Sequence, residues 1–354
     1  MARLLNLPGP VLITGHTGFK GSWLTLLLQR LGVEVCGISL PPQENSLYLK
    51  LASGLSIENY FIDIRNSTLI NQTFQRLQPS AVIHLAAQPL VLESYKSPKE
   101  TFEVNALGTT NVLDASFSCP SVEAVIVVTT DKVYRNNESG KAFHEDDPLE
   151  GKDPYSSSKV AAEAAVRAWQ NISKVSSGPK VVSVRAGNVI GGGDWATGRL
   201  LPDLIRGFEA NSPIEIRNCK STRPWQHVLD PLTGYLLALE QLLNGNDLDA
   251  LNFGPNSKSI SVEEVVTIAT NAWPSSVQIN FKENSENSAL EASKLELDST
   301  KARQLLDWTP KWSQHESISA TVNWWDRVLN NKMSAMESCN LDLNFLLNND
   351  NKIN

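Results

Sequence analysis

Surplus positive charge is missing from this chain: 31 Lys and Arg stand against 38 Asp and Glu, a formal net charge of -7 over 354 residues. Coating nucleic acid or an anionic membrane needs a basic face, so neither is expected as a partner. An anionic small molecule stays compatible, because a few well-placed Arg or Lys suffice locally. Cysteine is scarce. Cys36, Cys119, Cys219 and Cys339 lie far apart, with no paired spacing of a zinc site or redox couple. They read as reduced thiols of a cytosolic protein, and no metal site is expected. Long apolar runs are lacking too. Arg30 and Glu34 interrupt the Leu-rich segment after Gly21, and Glu240 and Gln241 break the one after Gly234. The opening residues show no signal-peptide core or cleavage site. There is no internal repeat. With 41% hydrophobic and 19% charged residues, collagen-like, disulfide-scaffold and wholly disordered classes are excluded. The expectation is a soluble cytoplasmic protein of two domains, at roughly 150 residues each.

What is present alternates. Val11-Leu12-Ile13 reads as a strand ending at Thr14-Gly15, and Gly21 to Leu31 as a helix with Trp23, Leu24, Leu27, Leu28 and Leu31 on one side. Further strands are expected at 33–39, 81–85, 125–129 and 181–185, with a helix from about Pro98 to Phe117. Continuous β-branched strands separated by helices imply a parallel sheet covered on both faces. The fold class is therefore α/β, a Rossmann-type doubly wound sheet. After about Gly187 the segments shorten and grow rich in Trp, Pro and Arg, as in a smaller, mixed α/β substrate domain. The expected division gives residues 1–187 plus about 226–250 to the first domain and about 188–225 plus 251–330 to the second. Helices are read at 231–243, 261–272 and 300–306, and 331–354 as an Asn-rich, frayed tail.

Gly15-His16-Thr17-Gly18-Phe19-Lys20-Gly21 lies between the first strand and the first helix. Glycines at this spacing allow a tight turn and close approach of backbone to a pyrophosphate, which the helix N-terminus stabilises. Coming directly after the first strand, the pattern points to a dinucleotide. An acidic residue is usual at the end of the second strand, for the adenosine ribose. Here the chain runs Gly37-Ile38-Ser39-Leu40-Pro41, so spacing leaves NAD and NADP undecided. Asp63-Ile64 offers an edge for the adenine, or else a loop Asp that caps the next helix.

Tyr155-Ser156-Ser157-Ser158-Lys159 opens a later helix after Pro154, placing Tyr and Lys one turn apart on one face. A phenol titrates near 10, so service as a base at neutral pH means lowering it by about three pH units, roughly 4 kcal/mol. An exposed Lys cannot do that alone; a closed site holding a cationic cofactor ring can contribute. Thr129-Thr130-Asp131-Lys132 closes the 125–129 strand, at the sheet end where such folds gather ligands. Thr130 can hydrogen-bond the hydroxyl that Tyr155 deprotonates. Asp131 and Lys132 put an acid and a base in one place, as an elimination needs. The alternative is a turn-capping Asp beside a solvated Lys. His84, ending an apolar strand, reads as a satisfied core histidine.

Gly15-x-x-Gly18-x-x-Gly21, Leu85-Ala86-Ala87-Gln88, Asn105, Thr130 and Tyr155-x-x-x-Lys159 together resemble the extended short-chain dehydrogenase/reductases that act on nucleotide sugars. The likeness runs from about residue 10 to 328. Within that family, Gly15 to Trp23, Arg185 to Trp195, and Arg223 to Leu229 resemble the 4,6-dehydratase branch acting on CDP-glucose, and Asp131-Lys132 fits the same branch. Ser39 departs from the family's Asp, and Leu92-Glu93 from an expected Arg. The resemblance implies NAD as cofactor, held by Gly15, Thr17, Gly18, Phe19, Lys20, Gly21, Asp63, Ile64, Leu85, Ala86, Ala87, Gln88, Asn105, Tyr155 and Lys159. It implies a catalytic set of Thr130, Asp131, Lys132, Tyr155 and Lys159. Substrate contacts would come from Gln88, Thr130, Asn188, Asp194, Trp195, Arg199, Leu200, Arg223, Trp225 and His227. For Trp195 and Trp225 a place in the core is the competing reading, and His227 fits either role. The resemblance further implies a homodimer through a bundle of helices near 98–117 and 155–170, and a place in deoxysugar biosynthesis such as that of lipopolysaccharide O-antigens.

Two rivals share these motifs. A nucleotide-sugar 4-epimerase would use Tyr155 and NAD but have no need of Asp131. A non-catalytic cofactor-binding scaffold need not keep Thr130, Tyr155 and Lys159 together.

Overall fold

In the computed structural model, which describes residues 6–282 and 294–348, the β-branched runs of the first half become strands of one sheet. In chain order the strands are β1 (Val11–Thr14), β2 (Val35–Ser39), β3 (Glu58–Phe61), β4 (Ala81–His84), β5 (Ala124–Val128), β6 (Lys180–Ala186), β7 (Asn188–Ile190), β8 (Ile214–Ile216), β9 (Thr222–Arg223), β10 (Trp225–His227), β11 (Ala250–Phe253), β12 (Ile260–Ser261) and β13 (Ile279–Phe281). Seven of these form a parallel sheet in the order β11-β6-β5-β4-β1-β2-β3. Its strands β1, β2, β4 and β5 are buried at every residue, as helices on both faces require. This is the Rossmann-type doubly wound arrangement. The strand order reverses between β1 and β4, and ligands of such sheets bind outside the carboxyl ends at that reversal. The glycine turn leaves β1 there, and Leu85 leaves β4 beside it, its N–H donating to the Thr14 carbonyl at 3.1 Å.

The second half contributes three small pairs: β7 with β10 and β8 with β13 in parallel, and β9 with β12 antiparallel. Helices Leu200–Glu209, Val262–Ala272 and Gln314–Leu329 pack around them. The expected boundaries shift slightly. Ala250–Phe253 pairs along β6, from Ala250 with Ser183 to Phe253 with Ala186, so residues 251–253 belong to the main sheet. Buried throughout, with Asn252 the one polar residue among them, they cover an edge of β6 that would otherwise be bare. Trp225–His227, in turn, joins β7. One hydrophobic core runs from Val11 through Trp225 to Trp325, crossing both halves.

The tail needs correction. Ala335–Asn348 is a helix, with Ser334 and Glu337 exchanging the hydrogen bonds of a capping box. Ala335, Cys339, Leu343 and Leu346 recur at three- and four-residue spacing and are buried against the main core. The intervening asparagines hide that period in the sequence. The rest of the expected tail, 349–354, lies outside the described residues. Among the described residues no helix is long and apolar enough to cross a membrane.

Candidate active site

The glycine turn is shaped by near contact. Gly15 has φ +77, and a Cβ there would stand 2.8 Å from the Ala86 nitrogen; one on Gly21 would stand 2.2 Å from the Gly15 carbonyl oxygen. Only glycine permits both. The helix Phe19–Arg30 begins at Gly18 with no side chain capping it, so its first-turn N–H groups stay available to an anion. Beneath the turn, Thr14 Oγ1 meets His84 Nδ1 at 2.6 Å, while Thr109 Oγ1 meets Nε2 at 3.0 Å. His84 is thus satisfied in the core, as read from the sequence. Burial, followed by the Lys159 charge, pushes its pKa down to about 3.

At the end of β2, Ser39 Oγ lies 2.6 Å from Thr17 Oγ1, whose hydroxyl donates to the Leu40 carbonyl at 3.0 Å. A hydroxyl pair therefore stands where dinucleotide sites usually carry a carboxylate. The Asp63 carboxylate is gripped by the Arg65 guanidinium at 2.6 Å and accepts the Arg65 N–H at 2.9 Å, which holds it below the usual carboxylate range. Ile64 is buried, and a Cβ on Gly108 would stand 2.5 Å from its Cδ1.

Beyond β4, Leu85, Ala86, Ala87 and Gln88 are half-buried. The Gln88 side chain is engaged by its own loop, accepting the Leu90 N–H at 2.6 Å and donating to Thr101 Oγ1 at 3.0 Å. Both ends of the amide thus brace the backbone between β4 and the Pro98–Phe102 helix. Asn105 is the matching brace. It accepts the Gln88 N–H at 2.8 Å and donates to Ser158 Oγ at 2.9 Å, tying this loop to the Tyr155 helix.

The helix Pro154–Ser176 starts on the Asp153 capping box with Pro154 in its first turn, and this fixes Tyr155 at the mouth of the helix. Thr130 caps the short turn Asp131–Val133 that follows β5. Asp131 is buried. Its Oδ1 accepts from Thr130 Oγ1 at 3.1 Å and lies 3.5 Å from Lys132 Nζ, while Oδ2 has no partner. Burial pushes the Tyr155 phenol up. Lys132, a hydrogen bond with Thr130 and Arg199 oppose that rise, and Asp131 reinforces it. The Lys159 ammonium is buried and donates to the Val128 carbonyl at 3.1 Å. Burial lowers its pKa to about 8, against the pull of Glu163.

A cluster of cations surrounds these groups despite the acidic chain. Lys20 Nζ lies 5.9 Å from the centroid of the Tyr235 ring. Its pKa falls to about 7 through burial, then through Arg199, Lys159 and Lys132, with Asp131 opposing. Arg199 pairs with the buried Asp194 at 2.9 Å and precedes the helix that Leu200 opens. Arg223 is buried and shares a small cavity with Val91, Asp131, Lys132, Asn136 and Lys152. Asn188 presents a buried Oδ1 with no partner.

Two aromatic expectations resolve as core. Trp225 is 4% exposed. His227 is fully buried, stacked on Trp312 at 4.2 Å between centroids, with Nε2 3.6 Å from Asp342 of the last helix. β10, which carries both, pairs with β7 and packs against the Gln314–Leu329 helix. Trp195 is half-buried, packed on Trp325 at 4.7 Å and covered by Arg206. Sequence reasoning passed over Glu163 and Arg185, a buried ion pair at 2.8 Å beside Lys159. A charged residue closing the apolar β6 was the available signal.

Residues 11–254 match the NAD dependent epimerase/dehydratase family. The chain is 39% identical over 323 residues to the CDP-glucose 4,6-dehydratase of Salmonella typhimurium, with 89% of each covered. It is 25% identical over 335 residues to a dTDP-glucose 4,6-dehydratase of Xanthomonas campestris pv. campestris, covering 89% of this chain and 92% of that one. Among solved structures it is similar to MoeE5 in complex with UDP-glucose and NAD, with TM-score 0.77, 25% identity, and 90% of this chain and 99% of that one covered.

Proposed function

Because this chain belongs to the NAD dependent epimerase/dehydratase family, we propose that it is the hydro-lyase that converts CDP-D-glucose to CDP-4-dehydro-6-deoxy-D-glucose and water. The coarser reading, an NAD-dependent enzyme of the nucleotide-sugar dehydratases and epimerases, follows from the family and the relatives. The finer one rests on the Asp131-Lys132 pair beside Tyr155: a buried carboxyl with one free oxygen and an amine 3.5 Å from the other.

The site's own features fit the cofactor. The uncapped helix end and glycine cradle suit a pyrophosphate, and the buried Lys159 and Tyr155 suit the nicotinamide ribose. Gly15, Thr17, Gly18, Phe19, Lys20 and Gly21 would line the phosphates, Ile64 and Asp63 the adenine, and Leu85 to Gln88 the path between. When bound, NAD would supply the carrier for the hydride that leaves C4 and reaches C6.

Tyr155, steadied by Thr130 and Lys159, takes the proton of the sugar 4-hydroxyl. The ketone so formed acidifies the C5 hydrogen. Lys132 takes that proton, and Asp131 gives one to the 6-hydroxyl, which departs as water. Once the hydride is at C6, Lys132 returns a proton to C5, and the proton held by Tyr155 passes through solvent to restore Asp131. Each positioned acid or base contributes about 10²–10⁴-fold. Asn188, Arg199 and Arg223 would hold the nucleotide diphosphate, with Arg suited to paired phosphate contacts. We also propose a homodimer through the helices of residues 91–117 and Pro154–Ser176.

Incubation with NAD and CDP-, dTDP-, UDP- or GDP-linked hexoses, followed by product mass, tests the reading. Loss of one water from CDP-glucose alone is the expected result, with solvent deuterium appearing at C5 in D2O. Asp131→Asn is expected to slow water loss at least about 10²-fold. A product of unchanged mass and inverted C4 identifies an epimerase instead. Loss of water from another nucleotide sugar overturns the CDP preference, and inertness toward all four overturns the reading as a whole.

A further inference from the structure

Glu163 follows Lys159 by one helical turn and shares its face of the Pro154–Ser176 helix. Its carboxylate is buried and fully engaged. Oε1 accepts from Thr129 Oγ1 at 2.5 Å and Arg185 Nε at 2.8 Å; Oε2 accepts from Ser183 Oγ and Arg185 Nη2, both at 2.8 Å. Arg185 is locked in turn, donating to Tyr134 Oη at 2.8 Å and to the Glu145 carbonyl at 3.0 Å. None of these groups reacts in the proposed chemistry. A buried ion pair is weak evidence of stability, since apolar residues of like volume often do as well. Its position suggests another use. Lys159 is bonded to Val128 and Glu163 to Thr129, so the helix is stitched to two successive residues of the strand end that leads into Thr130 and Asp131.

We propose that Glu163 is a positioning residue of the reaction, whose carboxylate, held by Arg185, fixes this strand end and keeps Lys159 charged. The proposal deepens, and rests on, the reading of Tyr155 and Lys159 as the pair that deprotonates the 4-hydroxyl. The groups that interact with Lys159 are Glu163 on its own helix, His84 from β4 and Lys20 from the glycine turn, with Tyr155 one helical turn before it. Asp131 and Lys132, from the turn after β5, act on the adjoining Tyr155 and Lys20, and Arg185 reaches Lys159 through Glu163. Glu163 is the one that raises Lys159's pKa against its burial. Without it the ammonium deprotonates at lower pH, and the site loses a charge one helical turn from Tyr155.

The test follows Lys159 directly, by 13C NMR titration of selectively labelled lysine in the NAD-loaded protein, beside the pH profile of kcat. In Glu163→Gln the Lys159 midpoint is expected to fall by about one pH unit or more. The alkaline limb of kcat should move with it, while KM for the sugar stays unchanged. A folded variant whose midpoint and limb match the parent overturns the proposal. Should the orphaned Arg185 prevent folding, Glu163→Gln/Arg185→Met removes both charges; a downward shift is still expected, smaller than in the single variant because a repelling cation goes too, and its absence counts against the idea. If the parent turns over no nucleotide sugar, the functional reading fails while the midpoint still decides the role of Glu163.

Discussion

Asp230 lies at the start of the Leu229–Leu243 helix, buried, with Oδ1 accepting the Lys311 N–H at 2.6 Å and Oδ2 unpartnered. Burial pushes its pKa from the ordinary 3.8 up to about 8, against backbone hydrogen bonds from Lys311 and Trp312. Between these values the unfolded chain has released the proton that the folded chain retains. Stability therefore falls as pH rises through that window. Asp230→Asn is expected to flatten the slope and to stabilise the protein by at least about 1 kcal/mol at pH 7.5 relative to pH 5, read from urea midpoints. Residues of this kind mark the limit of what a sequence discloses. Tyr155, Lys159, Thr130 and Asp131 were legible because type and local spacing carry their meaning. That Lys20 and Arg199 converge on them, and that Glu163 is met by Arg185, depends on contacts across the fold, and no local pattern encodes those. At His227 and Trp225, where the sequence left a core and a site reading open, both side chains are buried.

At the scale of elements, the buried parallel strands announced themselves through unbroken β-branched runs, while β3 did not. It is an edge strand with mostly exposed residues, so neither alternation nor an apolar run marks it. The Ala335–Asn348 helix was obscured by composition. Its role can be weighed: Leu343 is fully buried, and Leu343→Ala should cost about 2–5 kcal/mol, seen as a lower urea midpoint at unchanged m. Because this helix packs on the Gln314–Leu329 and Leu47–Leu51 helices, away from Pro154–Ser176, kcat at a temperature well below unfolding should stay near the parent value.

For the whole molecule, the stretch from Val91 to Phe117 leaves Leu92, Tyr95, Phe102 and Leu107 exposed, between 39% and 52%. Apolar groups gathered in one stretch suit burial against a second copy. Phe102→Glu with Leu107→Glu is expected to convert a dimer to a monomer in sedimentation velocity; a parent that already sediments as a monomer removes the proposed dimer. The two halves within one chain are joined differently. The backbone passes from β6 in the main sheet to β7 outside it, and returns through β10 into the Leu229–Leu243 helix. It leaves again after β11, and helix Thr300–Leu306 comes back to pack on β11. A structure woven this way has no single hinge about which it can open like a clamshell. Access for a substrate then falls to side chains and loops around the rim more than to the two halves swinging apart.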